Sequence, residues 1–232
     1  MKRCVLITGT NRGIGLALTE KLLANGALVH ATARNPDDCA PLQALAARFA
    51  DQLTLHTLDL ADEQAIYALA GKLEPQPIDW LISNAGVYGP TETRFGHIDS
   101  NAWLQTLQIN TIAPMHLIQA FINHLAAGQE KKIGVLSSKV GSMGDNFSGG
   151  GYIYRSSKAA VNAVIKSASI DLAPTGINVA ALHPGWVRTD MGGPNGEISP
   201  AESAAGLFET MAQLSEADRG RFIDIDGTTI PW

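Results

Sequence analysis

The sequence predicts an α/β protein in which a doubly wound parallel β-sheet is covered by helices on both faces. Three observations predict it: short apolar, β-branched runs alternate with helical patterns along all 232 residues, a glycine-rich turn follows the first run, and no linker or repeat interrupts the alternation. Such an alternation builds parallel strands joined by helical crossovers. We therefore expect one domain over residues 1–232.

The strands and helices follow from the local patterns, taken in order. Seven strands are predicted where short apolar runs are bounded by turn residues, at residues 4–8, 28–33, 53–58, 78–83, 132–137, 177–182 and 221–225. Six helices are predicted between them, at residues 14–25, 42–50, 62–73, 101–127, 152–172 and 200–214. Gly26 ends the first helix as a left-handed cap, and residues 174–176, Pro-Thr-Gly, end the fifth.

The composition excludes several classes of function. Hydrophobic residues make up 45% and charged residues 17% of the chain, which argues against extended disorder. A formal net charge of −5 argues against a nucleic-acid or anionic-membrane partner. No apolar stretch is long enough to span a membrane, and the two cysteines, Cys4 and Cys39, suit a reducing compartment. We expect a cytoplasmic protein without a metal site, because the six histidines lack ligand spacing.

Chemically useful residues follow the carboxyl ends of six different predicted strands. They are Gly9, Arg34, Asp59, Asn84, Ser138 and the pair Pro184-Gly185. In an open parallel sheet, ligands bind along this edge. Core packing alone does not explain six such residues at six strand ends, so the sequence predicts a ligand site there.

The first of these strand ends predicts a dinucleotide site. Gly9, Gly13 and Gly15 form a turn between a strand and a helix, where glycines allow the backbone to approach a pyrophosphate. The helix N-terminus adds unpaired N–H groups. Arg12 opposes the helix dipole unless an anion lies beside it, and Arg34 ends the second strand, where an arginine accepts the 2′-phosphate of NADP. The alternative is that both arginines are solvated surface residues.

A second motif predicts proton transfer. Tyr154 and Lys158 stand four residues apart, hence on one face of a helix. An ammonium group near a phenol is expected to lower the pKa of the phenol and so make it a useful acid–base catalyst. Ser138, at a strand end, is the preferred third member because its hydroxyl suits a developing oxyanion. Ser142 stays an alternative.

Taken together, the glycine turn and Tyr154-x-x-x-Lys158 resemble the single-domain short-chain dehydrogenase/reductase family, over nearly the whole chain. The resemblance implies a Rossmann-type sheet with strand order 3-2-1-4-5-6-7. It also implies NADP as cofactor. The cofactor-binding residues that the motif and the resemblance give are Gly9, Asn11, Arg12, Gly13, Ile14, Gly15, Arg34, Asp59, Leu60, Asn84, Ala85, Gly86, Tyr154, Lys158, Pro184, Gly185, Val187 and Thr189.

The same resemblance implies a catalytic set of Ser138, Tyr154, Lys158 and Asn110, the last at a break in a helix. The interval between Ser138 and Tyr154 is about three residues longer than is usual in the family. The resulting glycine-rich loop resembles the C-factor/sniffer-like branch of carbonyl reductases. The loops at 88–98, 141–152 and 191–199 are expected to line the substrate pocket, and residues 191–196 are expected to form a mobile lid.

These inferences predict an NADPH-dependent reductase of a small-molecule aldehyde or ketone. A 3-oxoacyl thioester reductase of the same family is one alternative, although it would need a basic surface for its carrier. A non-catalytic NADP-binding sensor or signalling protein is another, although it would not need a proton donor. The resemblance also implies a possible homodimer or homotetramer, because helices near 101–127 and 152–172 commonly pair subunits in the family.

Overall fold

Seven parallel strands form one sheet in the computed structural model, which describes residues 2–91 and 93–232. Glu92, in the expected substrate loop 88–98, lies outside the described residues. The strands are β1 (Cys4–Thr8), β2 (Leu28–Ala33), β3 (Leu53–Thr57), β4 (Trp80–Ser83), β5 (Lys132–Leu136), β6 (Asn178–Leu182) and β7 (Phe222–Ile223). Their order is β3-β2-β1-β4-β5-β6-β7, so the predicted fold class and strand order are confirmed.

Eight α-helices lie in the described part of the chain. They are α1 (Gly13–Ala24), α2 (Ala40–Arg48), α3 (Glu63–Leu73), α4 (Ser100–Leu107), α5 (Ala113–Ala120), α6 (Ile122–Ala127), α7 (Tyr152–Asp171) and α8 (Pro200–Gln213). Local signals explain their beginnings: the side chains of Asp62, Asp99 and Ser199 accept backbone N–H groups at the N-termini of α3, α4 and α8. None of these helices is long and apolar enough to cross a membrane.

The single helix expected over residues 101–127 is wrong, because the chain forms three helices there. A π-helical turn, Gln108–Ile112, separates α4 from α5, and Phe121 separates α5 from α6. Pro114 has no backbone N–H and stands at the beginning of α5, where this donor is not needed. The π-helical turn contains Asn110, so the helix break that the resemblance implied lies at that residue.

Alternating side chains of the strands bury two hydrophobic cores, one on each face of the sheet. Val5 and Ile7 face Leu18 and Leu22 of α1, with α8 on the same side. Leu6, between them, faces the opposite core, which contains residues of α3, α5, α6 and α7. Successive strand residues point to opposite faces, so burial of consecutive apolar residues requires cover on both sides.

The strand order reverses beside β1, which positions the site. β1 pairs with β2 on one side and with β4 on the other, and both pairs are parallel. The connections that follow β1 and β4 therefore leave the sheet edge in opposite directions and open a crevice between them. The residues predicted to bind a ligand end the strands that border this crevice.

Candidate functional site

The glycine turn after β1 is packed too closely to hold side chains. Gly9 has a φ of +71°, which favours glycine, and a Cβ there would lie 2.8 Å from the backbone of Ala85. A Cβ on Gly15 would collide with the carbonyl oxygen of Gly9 and lie 2.5 Å from the Nδ2 atom of Asn84. The turn is thus pressed against the loop that follows β4. Its backbone is shaped for close approach of a phosphate group.

Asn84 fastens this turn. Its Nδ2 donates to the carbonyl oxygens of Thr8 and Gly9, at 2.8 and 3.0 Å. The Thr8 hydroxyl accepts in return from the backbone N–H groups of Asn84 and Ala85. The Nδ2 of Asn84, which was predicted to bind the cofactor, is therefore committed to the protein backbone. Asn84 joins the loops after β1 and β4.

A cavity of about 730 Å³ lies beyond the carboxyl ends of β2 and β3. Its wall includes Asn11, Arg34, Thr57 and Asp59, so three of the predicted cofactor residues lie together. The Oδ1 of Asp59 accepts the backbone N–H of Ala61 and shapes the strand-end turn. Leu60 differs from the expectation, because its side chain is buried in the hydrophobic core and only its backbone can face a ligand.

Arg12 is paired with Asp190 and does not line the cavity that contains Arg34. Its Nη1 lies 2.7 Å from Oδ2 of Asp190, in the segment after β6, and both side chains are largely exposed. The structure therefore does not bring Arg12 and Arg34 together around one phosphate position. The anion that Arg12 needs at the N-terminus of α1 is the carboxylate of Asp190, 178 residues away, which no local pattern could predict.

These features fit a dinucleotide with an extra phosphate. The first turn of α1 contains no acidic residue, the turn before it begins at Gly9, and Arg34 stands in the wall of the adjoining cavity. N–H groups at a helix N-terminus together with an arginine recognise phosphate oxygens. Within the described residues, no group of three or more His, Cys, Asp and Glu side chains is placed to hold a metal.

Tyr154 and Ser138 meet beyond the carboxyl end of β5. Tyr154 lies in the first turn of α7, and the Ser138 side chain is close enough to its hydroxyl to lower the pKa of Tyr154. Ser142 lies elsewhere: its hydroxyl accepts the backbone N–H of Asp145 and contacts the backbone oxygen of Trp232. The geometry thus favours Ser138 over Ser142 as the partner of Tyr154. Gly149, Gly150 and Gly151, all with positive φ, accommodate the extra loop length before α7.

Lys158 is buried on the same face of α7. Its Nζ donates to the carbonyl oxygen of Leu136 at 2.9 Å and lies 5.7 Å from the centroid of the Tyr154 ring. Burial lowers the pKa of Lys158 to about 8. Burial also raises the pKa of Tyr154 to about 12, partly offset by the Ser138 hydrogen bond. The expected lowering of the Tyr154 pKa is therefore not produced by the protein groups, because desolvation of the phenolate outweighs them.

Asn110 is almost fully buried, and its side-chain amide makes three hydrogen bonds. Its Nδ2 donates to the carbonyl oxygen of Val87 at 2.8 Å and to the Ser157 hydroxyl at 3.0 Å, and its Oδ1 accepts the Val87 N–H at 2.9 Å. A Cβ on Gly86 would lie 3.2 Å from Asn110 Oδ1 and 3.6 Å from Lys158 Nζ. Asn110 and Lys158 therefore border the same small space, and Asn110 also fixes the loop after β4.

The segment after β6 turns back over the glycine turn. A Cβ on Gly13 would lie 3.2 Å from Cγ2 of Thr189, so Thr189, a predicted cofactor residue, borders the N-terminus of α1. The carbonyl of Pro184 accepts the Ser203 hydroxyl, and Gly185 has a φ of +79°. Val187 is buried, which leaves its backbone as the part that can face a cofactor.

Residues 191–196 form an ordered turn in this structure. Gly192 donates its N–H to the Thr189 hydroxyl, and its carbonyl accepts from the Trp186 indole at 2.8 Å. Arg188 donates to the carbonyl oxygens of Gly196 and Glu197. These bonds hold the segment against residues 186–189, and they favour an ordered turn over the expected mobile lid.

Two contacts of the expected substrate loops could not be predicted from the sequence. The Tyr88 ring stacks on the Tyr154 ring, with centroids 4.7 Å apart and planes inclined by 30°. In the loop after β5, the Gly144 N–H donates to the backbone oxygen of Trp232 at 2.9 Å. The Trp232 indole stacks on Phe222 of β7. Both contacts join residues that are distant in sequence, and no local pattern reports them.

Comparison with known proteins identifies the family. The sequence model of the short chain dehydrogenase family matches residues 3–198. Over 156 residues, which are 67% of this chain and 93% of the relative, the chain is 39% identical to the C-signal of Myxococcus xanthus.

Solved structures agree with this assignment. The carbonyl reductase Sniffer of D. melanogaster is 34% identical and superposes with a TM-score of 0.93, covering 100% of both chains. The NADPH-bound carbonyl reductase from chicken fatty liver is 33% identical with a TM-score of 0.90, and the match covers 100% of this chain and 99% of that one.

Proposed function

The chain belongs to the short-chain dehydrogenase family, and from that premise we propose that it is an NADPH-dependent reductase of aldehydes and ketones. The observation that carries the proposal is that Ser138 and Lys158 both adjoin Tyr154: the Ser138 side chain acts on its hydroxyl, and the Lys158 ammonium lies 5.7 Å from the centroid of its ring. Two hydroxyl groups converging at the carboxyl edge of the sheet can bind one carbonyl oxygen.

The residues for the cofactor are those around the glycine turn and the Arg34 cavity. The N-terminus of α1 would hold the pyrophosphate, Arg34 the 2′-phosphate, and the segment around Thr189 the nicotinamide end. When bound, NADPH supplies the hydride that reduces the carbonyl carbon. Relatives of this fold that were solved with NADPH or NADP, including the chicken liver enzyme, support this choice.

Tyr154 is the proton donor in this proposal. With a pKa raised to about 12, its hydroxyl keeps its proton at neutral pH and can donate it to the substrate oxygen as negative charge develops there. Ser138 donates a second hydrogen bond to the same oxygen and so stabilises the charge. A raised pKa favours reduction, because the reverse reaction would need the phenolate.

Lys158 acts behind Tyr154. With a pKa lowered to about 8, it is cationic at neutral pH, and a cation beside the ring stabilises the phenolate that remains after proton donation. Tyr154 would regain its proton by way of Lys158 and the small space that Lys158 shares with Asn110. The side chain of Asn110 serves mainly to hold Val87 and Ser157 in place.

The test is turnover with a panel of aldehydes and ketones, measured by oxidation of NADPH or NADH. We expect reduction by wild-type protein and a kcat/KM at least about tenfold higher with NADPH, the factor expected when a charge-assisted phosphate contact is lost. Equal kcat/KM values for the two cofactors would overturn the cofactor assignment. No turnover with any carbonyl, despite NADPH binding, would overturn the reductase.

A signalling role is the second candidate, because the C-signal of Myxococcus xanthus is among the relatives. Such a role would require cofactor binding, and it would not require Ser138 and Tyr154 to take part in catalysis. Cofactor binding without turnover, unchanged by Tyr154→Phe, is the outcome that would favour it.

A further inference from the structure

Resting on the proposed reductase function, we infer that the site selects flat aromatic or conjugated carbonyl compounds, and that Tyr88 is the residue that selects them. Tyr88 lies in the loop after β4 and stacks directly on Tyr154. Tyr154 and Ser138 explain only how a carbonyl oxygen is bound and protonated. Tyr88 would determine which class of carbonyl compound binds.

The first argument is the position of the Tyr88 ring. Its centroid is 4.7 Å from that of Tyr154, yet 42% of the Tyr88 residue stays exposed. One face of the ring contacts the proposed proton donor, while the rest remains open. A planar substrate whose oxygen reaches Tyr154 and Ser138 can therefore pack against Tyr88. Offset or tilted aromatic pairs at this separation are favourable beyond their buried area.

The second argument is that the loop holds Tyr88 in place before any substrate binds. Val87 is clamped on both its N–H and its carbonyl by the buried amide of Asn110. On the other side, a Cβ on Gly89 would lie 2.8 Å from the Thr106 hydroxyl and 3.3 Å from Ile153, so the chain passes close to α4 and α7. A ring fixed between two such positions costs little further ordering when a ligand binds.

The third argument is the apolar character of the neighbouring loops. The loop after β5 exposes Met143 and Phe147, at 74% and 92%, and the segment after β6 exposes Trp186 and Met191, at 49% and 46%. These loops leave the same edge of the sheet as the Tyr88 loop. Large exposed apolar side chains that are grouped on one edge indicate a surface that binds apolar groups.

The fourth argument concerns the arginines of these loops. Arg155 donates to the Val140 carbonyl and the Ser148 hydroxyl. Arg188 donates to backbone carbonyls of residues 196 and 197 and lies 3.8 Å from Glu202. Both guanidinium groups are committed to holding loops. Each of these two arginines would have to leave its loop contacts to pair with a carboxylate or phosphate of a substrate.

The experiment compares benzaldehyde with cyclohexanecarbaldehyde, which are similar in size and differ in planarity, in wild type, Tyr88→Phe and Tyr88→Ala. The ratio of kcat/KM for benzaldehyde to that for cyclohexanecarbaldehyde in wild type is the reference, because the conjugated and the saturated aldehyde differ in intrinsic reactivity toward hydride. Tyr88→Phe should keep this ratio, and Tyr88→Ala should lower it by about three- to tenfold, the factor that one aromatic contact supplies. A disturbance of Tyr154 would lower turnover of both aldehydes together, so the ratio isolates the aromatic contact.

Binding of two amides that do not react, benzamide and cyclohexanecarboxamide, to the NADP-saturated protein separates the two hypotheses. Amide preference without turnover would support the aromatic subsite and overturn the reductase. Turnover without any aromatic preference, or a preference that Tyr88→Ala leaves intact, would overturn the inference alone. If Tyr88→Ala changed the sedimentation coefficient and not the ligand preference, the surface would be an interface between copies and the inference would fall.

Discussion

The two halves of the carboxyl edge of the sheet are built in different ways. The cofactor half, formed by the loops after β1, β2 and β3, is defined by backbone: a glycine turn without room for a Cβ, fastened by Asn84, beside a cavity with Arg34 in its wall. The substrate half, formed by the loops after β4, β5 and β6, is defined by side chains such as Tyr88, Tyr154 and Phe147. Cofactor binding and substrate selection therefore depend on different residues. A substitution in one half should change cofactor affinity or substrate turnover and leave the other property nearly unchanged.

The largest expected effect is that of Tyr154→Phe in the substrate half. Removing the hydroxyl while keeping the ring should lower kcat at least about 10²-fold, the usual lower scale for general acid catalysis. The Kd for NADPH, measured by fluorescence titration, should stay nearly unchanged. Tyr152→Phe is the matched control and should keep most activity; a larger loss there than at Tyr154 would show that the wrong tyrosine had been chosen.

Gly15→Ala tests the cofactor half. The new methyl group would collide with the carbonyl of Gly9, so we expect the free energy of unfolding to fall by about 1–3 kcal/mol and the Kd for NADPH to rise at least about tenfold. Gly71→Ala in α3, where a Cβ would meet open space, should instead be stabilising by about 0.5–1 kcal/mol. Urea unfolding and cofactor titration measure both; unaltered cofactor binding in Gly15→Ala would refute the close-packed turn.

Arg34→Ala should change the choice of cofactor. Loss of its charge-assisted contact should weaken NADPH binding by about tenfold or more, and leave NADH binding little changed. Arg12→Ala is the informative comparison, since Arg12 is paired with Asp190 and not placed beside Arg34. If Arg12→Ala had the larger effect on NADPH selectivity, Arg12 would have to leave Asp190 when cofactor binds.

The pH dependence should also separate the halves. Below the lowered pKa of about 8, Lys158 is cationic; above it the cation is lost, so carbonyl reduction should fall by about fivefold from pH 8 to pH 9. Tyr154, with a pKa near 12, keeps its proton through this range. The Kd for NADPH should change less than kcat, and a kcat that rises between pH 8 and 9 would contradict the role of Lys158.

Trp232→Ala should have the smallest effect and act on substrate binding. Without the indole stacked on Phe222, the Trp232 backbone no longer holds the Gly144 N–H firmly, and the loop after β5 should loosen. We expect KM for the carbonyl to rise by about threefold, on the scale of one lost aromatic contact, with kcat nearly constant. Trp232→Phe should restore KM, and amide hydrogen exchange at residues 142–146 should follow the same order.

Much of the cofactor half could be predicted from the sequence. Strand–helix alternation requires a parallel sheet, and a parallel sheet brings Gly9, Arg34 and Asp59 to one edge whatever the loops do. The same reasoning places Ser138 near that edge. Helical spacing then predicts that Tyr154 and Lys158 share a face of α7.

The substrate half could not be predicted to the same depth, because its contacts join residues far apart in sequence through irregular loops. The Tyr88–Tyr154 stack, the Arg12–Asp190 pair and the direction of the Tyr154 pKa all depend on three-dimensional surroundings that periodicity does not encode. The helix break at residues 108–112 was also invisible to periodicity, since the apolar pattern continues through it. Only the family resemblance of Asn110 indicated it.

The contact between the C-terminal segment and the loop after β5 has a consequence for folding during synthesis. Ser142 and Trp232 are 90 residues apart, so the loop leaves the ribosome long before its support exists. Strands β1 to β3 and the glycine turn are made first, but β1 also pairs with β4 and α1 packs on α8, which is made late. Closing a long segment is entropically slow, and domains begin to fold while they are being made. A nascent chain should therefore fix the shape of both its dinucleotide cleft and its substrate loop only after α8 and the segment that contains Trp232 have been made.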